Sequence, residues 1–143
     1  GALAGTPATN TFGEGGGIFS DPPRTDVAIR GYDAVSYFPP ESKPVKGKPE
    51  FSHLWQGAKW FFSSAENLAK FKEDPTKWAP QYGGYCAYGV ANDSLVKIEP
   101  DQFAIVNGKL YLNYDADISK KWKKDVPGYI KEADAKFAKL LKE

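Results

Sequence analysis

Several residue types that carry chemistry or structure are scarce in this chain of 143 residues. Cys86 is the sole cysteine, which excludes an intramolecular disulfide and a scaffold held together by disulfides. No apolar run reaches the roughly eighteen residues that a membrane-spanning helix needs. Nineteen basic and eighteen acidic residues leave a net charge of +1, so the charge balance gives no electrostatic case for binding nucleic acid.

Methionine is also missing, even at the first position, and we therefore expect a processed chain from which a signal peptide has been removed. The N-terminal region is rich in Gly, Ala, Thr and Pro and shows no periodicity. These features predict a flexible tail over residues 1–26 and a single domain over residues 27–143. Phe12, Ile18 and Phe19 are the tail residues that could dock onto the domain. A periplasmic or secreted protein is the corresponding expectation.

Aromatic residues, at 15 %, are abundant, and three tyrosines lie close to the single cysteine. Gly83 and Gly84 precede Tyr85-Cys86-Ala87, so the backbone can turn sharply there and then enter a helix. In the first turn of that helix, N–H groups and the positive end of the dipole would favour a thiolate. The stretch thus predicts either a reactive thiolate or, if Cys86 is buried, an inert apolar thiol.

A second copy of this stretch lies earlier in the chain. Gly31-Tyr32-Asp33-Ala34 matches Gly84-Tyr85-Cys86-Ala87, with aspartate in place of cysteine. Three landmark pairs, at positions 31 and 84, 57 and 108, and 75 and 127, lie 53, 51 and 52 residues apart. An almost constant offset predicts an internal duplication of about fifty residues.

Each copy contains the pattern of a β-hairpin followed by a helix. Residues 51–55 and 58–62 read as strands joined by Gln56-Gly57, and residues 103–106 and 109–114 as strands joined by Asn107-Gly108. We therefore predict an α+β fold in which two pseudo-repeated β-hairpin/helix units form one small domain.

The residues with ligand chemistry are few. His53 is the single histidine, and in a strand it shares a face with Phe51 and Trp55, which is typical of a packing residue as well as of a ligand. Related halves often pack about a pseudo-two-fold axis, which would bring Asp33 close to Cys86. A thiolate, an imidazole and a carboxylate together suit a transition metal, and the sulfur and nitrogen donors favour Cu(I) or Zn(II).

These residues also carry a resemblance to a known family. The chain resembles the YHS-domain family, and more closely its small exported bacterial members, in residues 31–38, 51–63, 82–88, 110–114 and 125–130. The family is named for tyrosine, histidine and serine positions and is presumed to bind metal; His53 and Ser63 match the last two. Related metal-binding modules carry cysteines in the first motif and after the hairpin, where this chain has Asp33-Ala34-Val35 and Phe61-Phe62-Ser63-Ser64. The resemblance therefore implies a metal site of a different composition, built around Cys86.

Three functions remain open on the sequence. The first is an exported metal-binding protein with Cys86, His53 and Asp33 as ligands, copper favoured over zinc or iron, and an open ligand position for water, a substrate or a second protomer. The second is a module that binds a non-metal small ligand or a protein partner through a tyrosine-rich surface (Tyr32, Tyr82, Tyr85 and Tyr88). The third is a thiol enzyme with Cys86 as nucleophile, His53 as base and Asp33 as its orienting group.

Overall fold

The computed structural model describes residues 18–21 and 24–142, and this part of the chain has an α+β fold. Three short 3-10 turns cover Ile29–Gly31, Ala34–Tyr37 and Gln81–Gly84. The strands are β1 Ser20–Asp21, β2 Arg24–Ala28, β3 Lys48–Trp55, β4 Ala58–Phe62, β5 Phe103–Val106 and β6 Lys109–Leu112. The α-helices are α1 Ala65–Glu73, α2 Pro75–Trp78, α3 Ala87–Ala91, α4 Ala116–Trp122 and α5 Val126–Leu140.

Four of the strands form one sheet in the order β1-β2-β4-β3, and β5 and β6 form a separate hairpin. Strand β2 runs parallel to β4, whereas the β1–β2 and β3–β4 pairs are antiparallel. Along β3, Phe51, His53 and Trp55 are partly buried while Ser52 and Leu54 are exposed, because successive side chains of a strand point to opposite faces. The predicted alternation around His53 is confirmed.

Both predicted hairpin turns are present. Gln56 and Gly57 have φ values of 54° and 79°, and Asn107 and Gly108 have values of 53° and 76°. Two successive left-handed residues are characteristic of the two-residue turn that matches the twist of the flanking strands. Each turn thus closes its hairpin in the way that the sequence predicts.

The two halves of the domain share an order of elements. Each begins with a 3-10 turn, continues through a capped helical turn, a hairpin and a helix, and ends with a helix that an aspartate precedes. Those aspartates, Asp74 and Asp125, have φ values of −155° and −156°. The halves also differ, since the first hairpin belongs to a larger sheet and the second stands alone. The internal duplication itself stays a prediction.

The predicted boundary between tail and domain is wrong for part of the N-terminal region. Ile18 and Phe19 are buried, with 6 % and 7 % of their surfaces exposed. The Phe19 N–H donates to the Gly83 carbonyl oxygen at 3.0 Å, and its ring meets the Tyr85 ring edge-on. Strands β1 and β2 add residues 20–21 and 24–26 to the sheet. The rest of the predicted tail, residues 1–17 and 22–23 with Phe12, lies outside the described residues.

The second half of the chain has its own cluster of buried apolar residues. Helix α5 packs against α3 and places Ala133 and Phe137 in the interior, beside Tyr82, Tyr111 and Trp122. This contact fixes α3, and with it the position of Cys86. Across residues 18–21 and 24–142, no helix combines the length and hydropathy that crossing a membrane requires.

Candidate functional site

Cys86 lies at the end of the glycine turn, where the chain enters α3. Gly83 and Gly84 have positive φ values of 64° and 90°, which an L side chain rarely adopts. The backbone then becomes extended at Tyr85, and Cys86 is the N-cap of α3 rather than a residue of its first turn. Its Sγ accepts a hydrogen bond from the Gly89 N–H at 3.3 Å. The sequence motif therefore places the sulfur at the start of a helix, as expected, but one position earlier.

The thiol of Cys86 is buried. One per cent of the residue is exposed, and its Sγ–H donates to Asn113 Oδ1 at 3.5 Å. The same oxygen accepts the Tyr88 N–H at 3.1 Å, which fixes the orientation of the amide. Burial raises the pKa of the Cys86 thiol more than the nearby backbone N–H groups, that of Gly89 foremost, lower it. The expectation of an acidic thiol was wrong, because desolvation outweighs the donors at the helix start.

A cavity of about 330 Å³ lies beside this thiol. Its apolar walls come from Cys86, Tyr88, Val96 and Ile118, all of which are at least partly buried. Asp115 and Asp117, at the start of α4, line the same space. The cavity is thus formed where α3, the segment after it and α4 converge. Nothing in the local sequence signals it, since its lining residues are spread over residues 86–118.

Asp33 is buried in a different polar network. Its carboxylate accepts hydrogen bonds from the Val35 and Ser36 N–H groups, from the Ser63 N–H and hydroxyl, and from the Asn67 side-chain amide. The distances run from 2.7 to 3.3 Å, and the residue has no exposed surface. Asp33 therefore caps the 3-10 turn 34–37 and also ties that turn to the start of α1. All of these partners come from the protein itself.

His53 lies on β3 and contacts the Phe71 ring at a centroid distance of 6.2 Å. Partial burial and the nearby Lys72 lower the pKa of its imidazole. Its surroundings are therefore those of a packing residue on the aromatic face of the sheet. His53 shares no described hydrogen-bond or ring partner with Cys86 or Asp33.

The structure does not assemble the predicted metal ligands. Within residues 18–21 and 24–142, no group of three or more His, Cys, Asp or Glu side chains could hold a metal ion. Asp33, His53 and Cys86 each lie in separate surroundings: a closed hydrogen-bond network, an aromatic face and a cavity wall. Among the described residues, the hydrogen bonds of the Cys86 sulfur are to Asn113 and Gly89 and not to His53, the base that the thiol-enzyme interpretation requires.

The four tyrosines predicted to form a ligand surface have different surroundings, although Tyr82, Tyr85 and Tyr88 belong to or pack against one apolar cluster. Tyr88 lines the cavity beside Cys86. Tyr82 is fully buried, and its hydroxyl donates to Asp134 Oδ1 at 2.8 Å. Tyr85 packs against Phe19, and Tyr32 lines a polar pocket together with acidic residues. One tyrosine of the four therefore belongs to the candidate site.

Asp33 and Cys86 hold matching places in the two halves. Each caps a helical turn, and each donates its own N–H to a carbonyl oxygen downstream, that of Val45 at 2.8 Å or Val96 at 3.1 Å. Asp33 also accepts the N–H of Ser63, the residue just before the N-cap of the next helix. Tyr114 holds the matching position before the N-cap of α4 and lines the cavity beside Cys86. The offset of 51 residues relates Tyr114 and Ile118, which were not predicted as site residues, to Ser63 and Asn67, but it does not predict a cavity.

No family model, curated protein or solved structure matches this chain. The resemblance to the YHS-domain family accordingly stays a prediction from the sequence.

Proposed function

We propose that this protein is a binding module for a small organic molecule, and that its ligand site is the cavity beside Cys86. The observation that carries the proposal is the cavity itself, about 330 Å³ in volume. Small-molecule sites are concave, mostly apolar and equipped with a few polar groups, and their volumes begin at roughly 300 Å³. The walls of Tyr88, Val96 and Ile118 with the two carboxylates of Asp115 and Asp117 fit this description. A compact ligand with an apolar body is the occupant that they favour.

The first half of the chain supports this interpretation by contrast. There the space beside Asp33 is filled by Ser63 and Asn67, whose side chains donate hydrogen bonds to the carboxylate. The residues at the corresponding positions relative to the next helix cap are Tyr114 and Ile118, which line the cavity. The positions whose polar side chains donate to Asp33 in the first half are thus held in the second half by Tyr114 and Ile118, which donate no such side-chain hydrogen bond and line the cavity beside Cys86.

Saturable binding of a small probe tests the proposal. A suitable series is phenethylamine, phenethyl alcohol and hydrocinnamate, which share an aromatic body and differ in charge. Heteronuclear NMR should show saturable shifts at the backbone N–H groups of Tyr88 and Gly89 for at least one of them. Ile118→Trp should abolish these shifts, because the larger ring extends into the cavity.

The matched control is Leu54→Trp, which adds the same ring at a site on β3 that is 68 % exposed. This variant should bind the probes as the parent does. Both variants should keep the far-ultraviolet circular dichroism of the parent, so that lost binding is not lost folding. Unchanged binding in Ile118→Trp, or no saturable shift with any probe, would refute the proposal.

Metal binding, which the resemblance implies, stays a prediction with its own test. Cys86 is the soft donor in question, so a Cu(I) site should produce a thiolate-to-metal absorption band under anaerobic titration. Cys86→Ser should remove that band, and His53→Ala should weaken it if the imidazole is a second ligand. The separation of the two side chains argues for no effect of His53→Ala. A titration with equal affinity in the parent and in Cys86→Ser would end the metal interpretation.

A further inference from the structure

We infer that the ligand of the Cys86 cavity is an organic cation, an ammonium group carried on a small apolar body. This inference rests on the proposed function and adds the chemical class of the ligand. It is carried by the charge of the lining, by the aromatic rings at the rim and by the absence of an assembled metal site in the described residues.

Every charged side chain that lines the cavity is acidic. Asp115 and Asp117 contribute carboxylates, whereas no lysine, arginine or histidine is among the described residues that line the cavity. Asp115 caps α4 through Oδ1, which accepts the Ile118 N–H at 2.9 Å, so the cap uses one of its two carboxylate oxygens. Asp117 is exposed at the rim. A positive group is attracted by this pair, and an anionic ligand is repelled by it.

The rings at the rim suit the same kind of ligand. Tyr88 and Tyr114 both line the cavity, and the Tyr114 ring already has an ammonium group 4.4 Å from its centroid, that of Lys97. Aromatic faces attract cations electrostatically, and the attraction strengthens where water is excluded. Lys97 also forms a 2.9 Å ion pair with Glu99, which offsets part of its positive charge near the cavity, since Arg30 shares this carboxylate at 3.6 Å.

The apolar lining of the cavity favours an organic cation over a bare metal ion. Cys86, Val96 and Ile118 offer apolar surface, which stabilises a hydrocarbon body and gives nothing to a hydrated ion. The two aspartates alone do not form a group able to hold a metal. An ammonium on an apolar stem matches both parts of the lining.

The probe series distinguishes the charge classes. Phenethylamine should bind at least about tenfold more tightly than phenethyl alcohol, which corresponds to about 1.4 kcal/mol, and hydrocinnamate should bind most weakly. Added salt should weaken the amine and leave the alcohol unchanged, because salt screens the carboxylates. Dissociation constants come from the NMR shifts of the Tyr88, Gly89 and Tyr114 N–H groups.

Removal of the two charges tests the cause. The double variant Asp115→Asn/Asp117→Asn should bind the amine and the alcohol equally, and asparagine caps a helix as well as aspartate does, so α4 should be kept. Glu66→Gln is the matched control, since Glu66 lies two residues after the Ser64 cap of α1 as Asp117 lies two after Asp115. This variant should leave the preference for the amine unchanged.

The outcomes separate this inference from the function on which it rests. Equal binding of all three probes, or an amine preference that survives in the double variant, would overturn the cationic class and leave the binding function standing. Binding of none of them would overturn both.

Discussion

Replacement of Asp33 by alanine should remove a large part of the stability of the fold. The carboxylate has no exposed surface and accepts hydrogen bonds from two elements, the 3-10 turn 34–37 and the start of α1. Alanine leaves three donors without an acceptor: the Val35 N–H, the Ser63 N–H and one N–H of the Asn67 amide. The Asn67 amide nitrogen keeps its 3.3 Å hydrogen bond to Glu41, and the Ser36 N–H keeps the backbone carbonyl oxygen of residue 33 at 3.1 Å. At about 1 kcal/mol or somewhat more for each orphaned donor, the free energy of unfolding should fall by about 3–5 kcal/mol.

This loss is measurable because single domains are stable by only about 5–15 kcal/mol in total. With a urea dependence of about 2 kcal/mol/M, the unfolding midpoint should drop by about 1.5–2.5 M at an unchanged slope. Asp33→Asn should have an intermediate effect. Its oxygen can still accept the Val35 and Ser36 N–H groups, but its amide faces the donors that Oδ2 now serves.

The control is Glu66→Gln, an exposed carboxylate on α1 whose loss should change stability by less than about 0.5 kcal/mol. A loss of under about 1 kcal/mol for Asp33→Ala would refute the reasoning, since it would mean that water or rearranged side chains replace the carboxylate without cost. Equal effects of the alanine and asparagine variants would refute the assignment of donors to the two oxygens.

Three further predictions follow from the burial and backbone conformation of other residues. Burial raises the pKa of the Cys86 thiol and raises that of Tyr111 to about 12, so the folded protein keeps protons that the unfolded chain loses above about pH 8.5 and 10. The free energy of unfolding should therefore fall as the pH rises above about 8.5. Cys86→Ala should remove the earlier part of this fall, and a free energy of unfolding that does not change with pH in the parent would contradict the prediction. Phe19→Ala should lower the free energy of unfolding by about 3 kcal/mol in urea denaturation, and an unchanged midpoint would show that residues 18–21 do not contribute to the fold. Gly57→Ala and Gly108→Ala should each lower the free energy of unfolding by about 1 kcal/mol in the same assay. The cause is conformational, because φ is positive at both positions and no described atom lies within 4 Å of the added methyl group. Clearly unequal losses in the two variants would contradict this origin.

Features that depend on neighbouring residues were predictable from the sequence. The alternation along β3 identified the partly buried face of His53, and Asn107-Gly108 identified the second hairpin turn. The cap formed by Asp33 was predictable for the same reason, since its acceptor role for Val35 and Ser36 involves residues two and three positions away. The helix after the first hairpin was also expected; Ser64 is its N-cap, and the hydroxyl of the preceding Ser63 donates to Asp33.

Features that depend on long-range packing were decided by the tertiary structure. The sequence determined that Cys86 would start a helix, where local N–H donors favour a thiolate. Burial of the thiol against Asn113 and the surrounding elements raises its pKa instead. The sequence likewise determined which side chains can bind a metal, but their distribution over three separate environments came from the arrangement of the sheet and helices. The cavity has no sequence signature, because it is the space left where residues 86–96 and 114–118 converge. Local chemistry selects the turns and caps, whereas only the assembled fold determines which groups lose water and which face an open space.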